Sequence, residues 1–124
     1  MWSVLVVDDN PAVRKLICEL FTREGDFQVC AEADNGRDAL LKAEEHEPDL
    51  IVTDLSMPQM NGLEETRALR KLMPALPVIL YSAHIDSYVA KEAIAAGASA
   101  VVPKTDVVAM LIATARILMD QLAA

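Results

Sequence analysis

The chain has 124 residues, with 11 Lys and Arg against 19 Asp and Glu, a formal net charge of −8, and 53% hydrophobic residues. That length fits one domain with its own core, and that hydrophobic share excludes a disordered acidic tail. The acidic balance argues against nucleic-acid binding, which needs clustered Lys and Arg, and no apolar run reaches the ~20 residues of a membrane span.

The first apolar run, Val4, Leu5, Val6 and Val7, reads as a strand that starts too early for a basic signal segment, so a cytoplasmic protein is expected. Asn10 and Pro11 open a helix, Asn10 as cap and Pro11 where its missing N–H costs nothing. Gly25 is placed to end that helix in left-handed backbone. The second run, Phe27–Ala33, alternates: Phe27, Val29, Ala31 and Ala33 on one side, Gln28, Cys30 and Glu32 on the other. Asn35 caps the second helix. Leu50, Ile51 and Val52 form the third run, and Asn61 with Glu64 three residues later caps the third helix. Val78, Ile79 and Leu80 form the fourth run, whose helix ends at Gly97. Ala100, Val101 and Val102 form the fifth, before Pro103, with Thr105 as cap of the last helix.

Strands alternating with helices demand right-handed crossovers and a parallel sheet covered on both faces. Runs one, three and four are continuously apolar, as strands buried on both faces must be. The alternation of run two and Pro103 at the end of run five mark edges. The expected fold is therefore α/β, a doubly wound five-stranded sheet in the flavodoxin-like order 2-1-3-4-5 with five helices.

Gly25, Gly36, Gly62 and Gly97 are scattered singly, which leaves no Gly-rich phosphate loop. His46 and His84 stand alone, as surface or capping residues, and no Cys or His pair has zinc spacing. Cys18 and Cys30 lie in apolar surroundings and read as buried free thiols. In a doubly wound sheet the ligand crevice lies beyond the carboxyl ends of the strands. Asp8 and Asp9 follow strand one, Asp54 strand three, Ser82 strand four and Lys104 strand five. Singly, each is an ordinary cap, turn or surface residue; together they converge on one small volume. Three carboxylates against one ammonium leave an excess that raises carboxylate pKa values or recruits a cation. Hard oxygen donors select Mg2+, with Mn2+ or Ca2+ fitting the same chemistry.

Residues 4–122 resemble the receiver domain of two-component response regulators. The resemblance rests on Val6-Val7-Asp8-Asp9-Asn10, on Asp54-Leu55-Ser56-Met57-Pro58-Gln59-Met60-Asn61-Gly62, on Ser82-Ala83 and on Lys104, in that order. It implies that residues 1–124 form a single receiver, with Asp54 as phosphoacceptor. Asp9 binds Mg2+ directly, Asp8 mainly through water, and the Ser56 carbonyl completes the protein ligands, Mn2+ fitting the same set. Lys104, Ser82 and Ala83 hold the phosphoryl oxygens, and the donor is a phosphohistidine on a sensor kinase or phosphotransfer protein. Such a chain is a switch, not an enzyme acting on a free substrate. Asn61-Gly62-Leu63-Glu64-Glu65 and Gly97-Ala98-Ser99-Ala100 look most like the branch with a LuxR-type helix-turn-helix output domain, which the 124 residues do not include, so DNA contact is not expected of them.

Two positions depart from the family pattern. Val101 stands where relatives carry an aromatic switch residue, leaving Tyr81, Tyr88, His84 or backbone displacement to replace it. Pro103-Lys104-Thr105 replaces the common Lys-Pro order. In the last helix, Val108, Leu111, Ile112, Ala115, Met119 and Leu122 suffice to cover the sheet. A second stripe, Val107, Met110, Thr114, Ile117 and Gln121, faces away and suits a partner or a second copy of the chain, with Tyr88 and Lys91 on the neighbouring helix. Two other readings compete. One is a phosphorylation-independent interaction module, which Val101 leaves open but the retained Asp8, Asp9, Asp54, Ser82 and Lys104 weigh against. The other is an aspartyl-phosphate hydrolase with Asp8 as nucleophile, which needs a DxD spacing that Asp8-Asp9-Asn10 lacks.

Overall fold

The computed structural model describes residues 1–57, 60–83, 85–103 and 107–123, with side chains described at all of these except 107–109 and 123. Five strands, β1 (Trp2–Val7), β2 (Phe27–Ala33), β3 (Leu50–Asp54), β4 (Val78–Ser82) and β5 (Ala100–Pro103), alternate with five helices. The helices are α1 (Pro11–Arg23), α2 (Gly36–His46), α3 (Gly62–Leu72), α4 (Ser87–Ala96) and α5 (Val107–Ala123). All strand pairs are parallel and the order is β2-β1-β3-β4-β5, the flavodoxin-like arrangement expected. No helix among the described residues is long and apolar enough to cross a membrane.

Local chemistry explains where the helices begin. Asn10 Oδ1 accepts from the Ala12 and Val13 amides ahead of Pro11. Asn35 accepts from the Asp38 amide, and Asn61 with Glu64 closes a reciprocal capping box. Gly97 ends α4 at φ 112°, backbone that a side chain resists. Gly25 does not play that part for α1. The helix ends at Glu24 in extended backbone, and a turn closed by the Phe27 amide on the Glu24 carbonyl leads straight into β2. The left-handed residue is instead Glu47 after α2, at φ 46°. The expected cap at Thr105 lies outside the described residues.

One face of the sheet packs on α1 and α5 through Val4, Val6, Val52, Ile79 and Tyr81 against Ile17, Phe21, Leu111 and Met119. The other packs on α2, α3 and α4 through Leu5, Val7, Ile51 and Leu80 against Ala39, Ala43, Leu69 and Ala93. β2 does not keep the single alternation read from its sequence. Its register with β1 shifts between Val4 and Leu5, so that Val4 faces Val29 and Leu5 faces Ala31. The residue skipped is Cys30, whose thiol lies 3.5 Å from the Val4 carbonyl. A bulge adds one residue and reverses the phase beyond it. Phe27 and Val29 therefore pack on the α1/α5 side, and Ala31 and Ala33 on the other.

Both cysteines are free and half-buried rather than fully enclosed, and burial pushes Cys18 up to about 12. On α5 the sheet-facing stripe holds at Leu111, Ile112, Ala115 and Met119, but Leu122 is 63% exposed and does not belong to it. Val107 and Val108 have side chains outside the described set.

Candidate functional site

The sheet ends place the site. Strand order reverses between β1 and β3, and the crevice outside that switch point is where doubly wound sheets bind ligands. Asp8 and Asp9 lie just beyond β1, and Asp54 is the last residue of β3. Carboxylate oxygens of these three residues all lie within 4.8 Å of one another, with Asp8 and Asp54 buried and Asp9 exposed. Each like-charged pair at that spacing costs about 3 kcal/mol at an effective dielectric near 20.

Several backbone groups hold the acids in place. Asp8 Oδ1 accepts from the Asn10 amide at 2.8 Å, and the Asp8 amide donates to Ala33 on β2 at 3.1 Å. The Arg14 guanidinium donates to the Asp8 carbonyl at 2.7 Å. Asp54 Oδ1 lies 3.3 Å from the Ser56 amide. The segment leaving β3 is pinned at both ends: the Leu55 amide donates to Tyr81 O at 2.9 Å, and the Gly36 amide donates to Met60 O at 3.1 Å. Space is tight at both glycines. A Cβ at Gly62 would stand 2.5 Å from the Asp54 carbonyl, and one at Gly36 would collide with Met60.

Of the other residues singled out in the sequence, Ser82 is buried at the end of β4, while Ser56 and Ala83 are exposed. An open cleft lined by Asp9, Ser56, Met57 and Asn61 gives access from the β3–α3 side. Lys104 and His84 lie outside the described residues. Val101 is half-buried against the α2–α4 side of the core. Tyr88 is 67% exposed on α4, with Lys91 exposed a turn later. On α5, Met110 and Ile117 are 48% and 58% exposed, and Thr114 between them is half-exposed.

Two residues have contacts at the site that the sequence does not announce, although it offers Tyr81 as a candidate switch aromatic. Tyr81, fully buried, has its hydroxyl 2.9 Å from Asp8 Oδ2 and 2.9 Å from Val7 O. Burial first, and then the Asp8 charge, push its ionisation well above the usual phenol range. Glu65 of α3 is fully buried: Thr53 Oγ1 donates to its Oε1 at 2.8 Å, and Oε2 has no hydrogen-bond partner among the described residues. Burial pushes its carboxyl up to about 8, against the smaller opposing effect of the Thr53 bond. The signal for Glu65 was its spacing, since positions 62, 65, 66 and 69 are the buried stripe of α3. For Tyr81 it was parity with Ile79 on the inward face of β4.

Three clustered carboxylates, with no thiolate or imidazole joining them among the described residues, suit a hard divalent cation such as Mg2+, and their mutual repulsion is what such an ion relieves. The residues present fit that group, with Asp8, Asp9 and Asp54 as the available oxygen donors.

Comparison with known proteins gives the same picture. A family model described as the response regulator receiver domain matches residues 4–116. The chemotaxis protein CheY of Thermotoga maritima is 38% identical over 95 residues, 77% of this chain and 78% of that protein. A protein-glutamate methylesterase/protein-glutamine glutaminase of Nocardioides sp. is 41% identical over 103 residues, 82% of this chain but only 28% of the relative's length. Among solved structures, a LuxR-family response regulator from Aurantimonas sp. SI85-9A1 superimposes with a TM-score of 0.89 at 33% identity, covering 97% of this chain and 86% of that one. The response regulator domain of Thermotoga maritima CheB gives 0.90 at 28% identity, with 97% of each chain covered. With its fold, its acidic switch point and nearly its whole length matched, this chain belongs to the response regulator receiver domain family.

Proposed function

We propose that this chain is a phosphoryl-accepting signalling switch, with Asp54 as the residue modified. The observation that carries the reading is the convergence of Asp8, Asp9 and Asp54 at the β1/β3 switch point. In the proposed reaction, a carboxylate oxygen of Asp54 forms a bond to phosphorus as the N–P bond of a partner kinase's phosphohistidine breaks, and the leaving imidazole keeps the electron pair and takes up a proton. Asp8 and Asp9, with Asp54 and the Ser56 carbonyl, would hold Mg2+, which when bound neutralises phosphoryl charge. Ser82 offers a hydroxyl and Ala83 a backbone amide with little bulk beside it. Lys104 is assigned to the phosphoryl group from the sequence resemblance alone.

The modification adds charge and strong acceptor oxygens at the mouth of the sheet. We assign its read-out to α4, β5 and α5, where Tyr88, Lys91, Met110, Thr114 and Ile117 form the outward surface. Tyr81 is enclosed, with its hydroxyl set against Asp8 and Val7, which suits an anchor and not a swinging aromatic. The activity is self-modification and not turnover of a free substrate. An output domain such as that of the LuxR-type relatives would carry any DNA contact, and the single-receiver organisation of residues 1–124 is part of this proposal. Incubation with acetyl phosphate and Mg2+, followed by intact-mass measurement, should show one added phosphoryl group. The addition should vanish in Asp54→Asn and without the metal. Phosphorylation surviving in Asp54→Asn would overturn the assignment.

A further inference from the structure

Asp8 is the most enclosed of the three acids, and it is held from two sides. Its Oδ1 takes the Asn10 amide, a backbone donor that no side-chain replacement removes. Its Oδ2 faces the hydroxyl of Tyr81, which reaches from β4 across β3 to the end of β1, 73 residues away in sequence. The same hydroxyl lies equally close to Val7 O. A phenol has one proton to give. The two acceptors are equidistant, and a carboxylate oxygen is the stronger one, which directs the proton to Oδ2. With both oxygens held, the Asp8 carboxylate cannot rotate about its Cβ–Cγ bond without losing a hydrogen bond in a buried setting, where such losses are costly.

We propose that Tyr81 is a positioning residue of the acidic site, its hydroxyl fixing the Asp8 carboxylate in the orientation that faces Asp9 and Asp54. The proposal rests on the metal reading above. Partners that orient a ligating side chain typically contribute 10–100-fold to metal affinity. Tyr81→Phe keeps the ring in its core and removes only the hydroxyl. Calorimetric titration with Mg2+ should give a Kd weakened about tenfold in Tyr81→Phe, while the metal-free melting curve stays cooperative. An unchanged or tighter Kd would overturn the proposal. Wild-type protein that fails to bind Mg2+ at all would instead overturn the metal reading beneath it.

A second measurement needs no variant. The chain has two tyrosines, so ring-labelled protein gives two signals, with exposed Tyr88 as internal reference. Mg2+ should move the Tyr81 signal and leave that of Tyr88 in place. A Tyr81 signal indifferent to saturating Mg2+ sinks the proposal whether or not the Phe variant folds.

Discussion

Asp8, Asp9, Asp54 and Glu65 lie near the carboxyl ends of β1 and β3, and the protein treats them in two opposite ways. Asp8, Asp9 and Asp54 gather at the mouth of the sheet, where Asp8 meets an amide and a hydroxyl and Asp54 an amide. Glu65, on the first turns of α3, is sealed with a single hydroxyl from Thr53 and one oxygen without a hydrogen bond among the described residues. Burial alone does not make a functional acid. Donors aimed at the oxygens hold the mouth acids in fixed positions, whereas the dry pocket with one donor favours the neutral acid at Glu65. The two regions differ in hydrogen-bond supply more than in depth, since Asp8 and Glu65 are equally enclosed.

The largest effect should come from Glu65. Its folded value of about 8 against an ordinary 4.5 means that the native state holds a proton the unfolded state has released across that window. Stability should therefore fall as pH rises from about 4.5 to about 8 and level off above, by roughly 5 kcal/mol at most for this group. Asp26, held low mainly by its hydrogen bond from Arg116, acts with the opposite sign and in the acid range. Denaturant titrations from pH 5 to pH 9 should show the decline in wild type and a much flatter curve in Glu65→Gln; matching curves would dissolve the contrast between the two regions.

Next in size is the mouth. Mg2+ at 100 times its Kd should stabilise the fold by about 2.7 kcal/mol through site-selective binding. Thermal melts should show that gain in wild type, lose most of it in Asp9→Asn, and keep it in Glu65→Gln. The smallest is Thr53→Val. Loss of the hydroxyl should cost about 1 kcal/mol at pH 5 and shift the midpoint of the Glu65-linked decline to higher pH, with Mg2+ affinity unchanged.

The fold was legible because its signals are local and redundant. Asn10, Asn35 and Asn61 announce their helices, and unbroken apolar runs mark the inner strands. The bulge at Cys30 was not legible, because a one-residue slip depends on the neighbouring strand and not on the composition of β2. Gly25 misled for a related reason: glycine permits left-handed backbone without requiring it, and the turn onto Phe27 closes without it. At the site, the order of Asp8, Asp9 and Asp54 along the chain was enough to expect them together once the strand order was known. Tyr81 was hidden because its partner lies two strands away, so only the assembled sheet brings the hydroxyl to Asp8.

The backbone link from Gly36 to Met60 has a wider consequence. It ties Met60, six residues beyond Asp54, to the first residue of a different helix, one that carries none of the three clustered acids. A methyl group added at position 36 would press on Met60 and so reach the segment that follows Asp54 from outside it. Substitution at the start of α2 thus offers a way to displace Met60 while Asp8, Asp9 and Asp54 all stay the same.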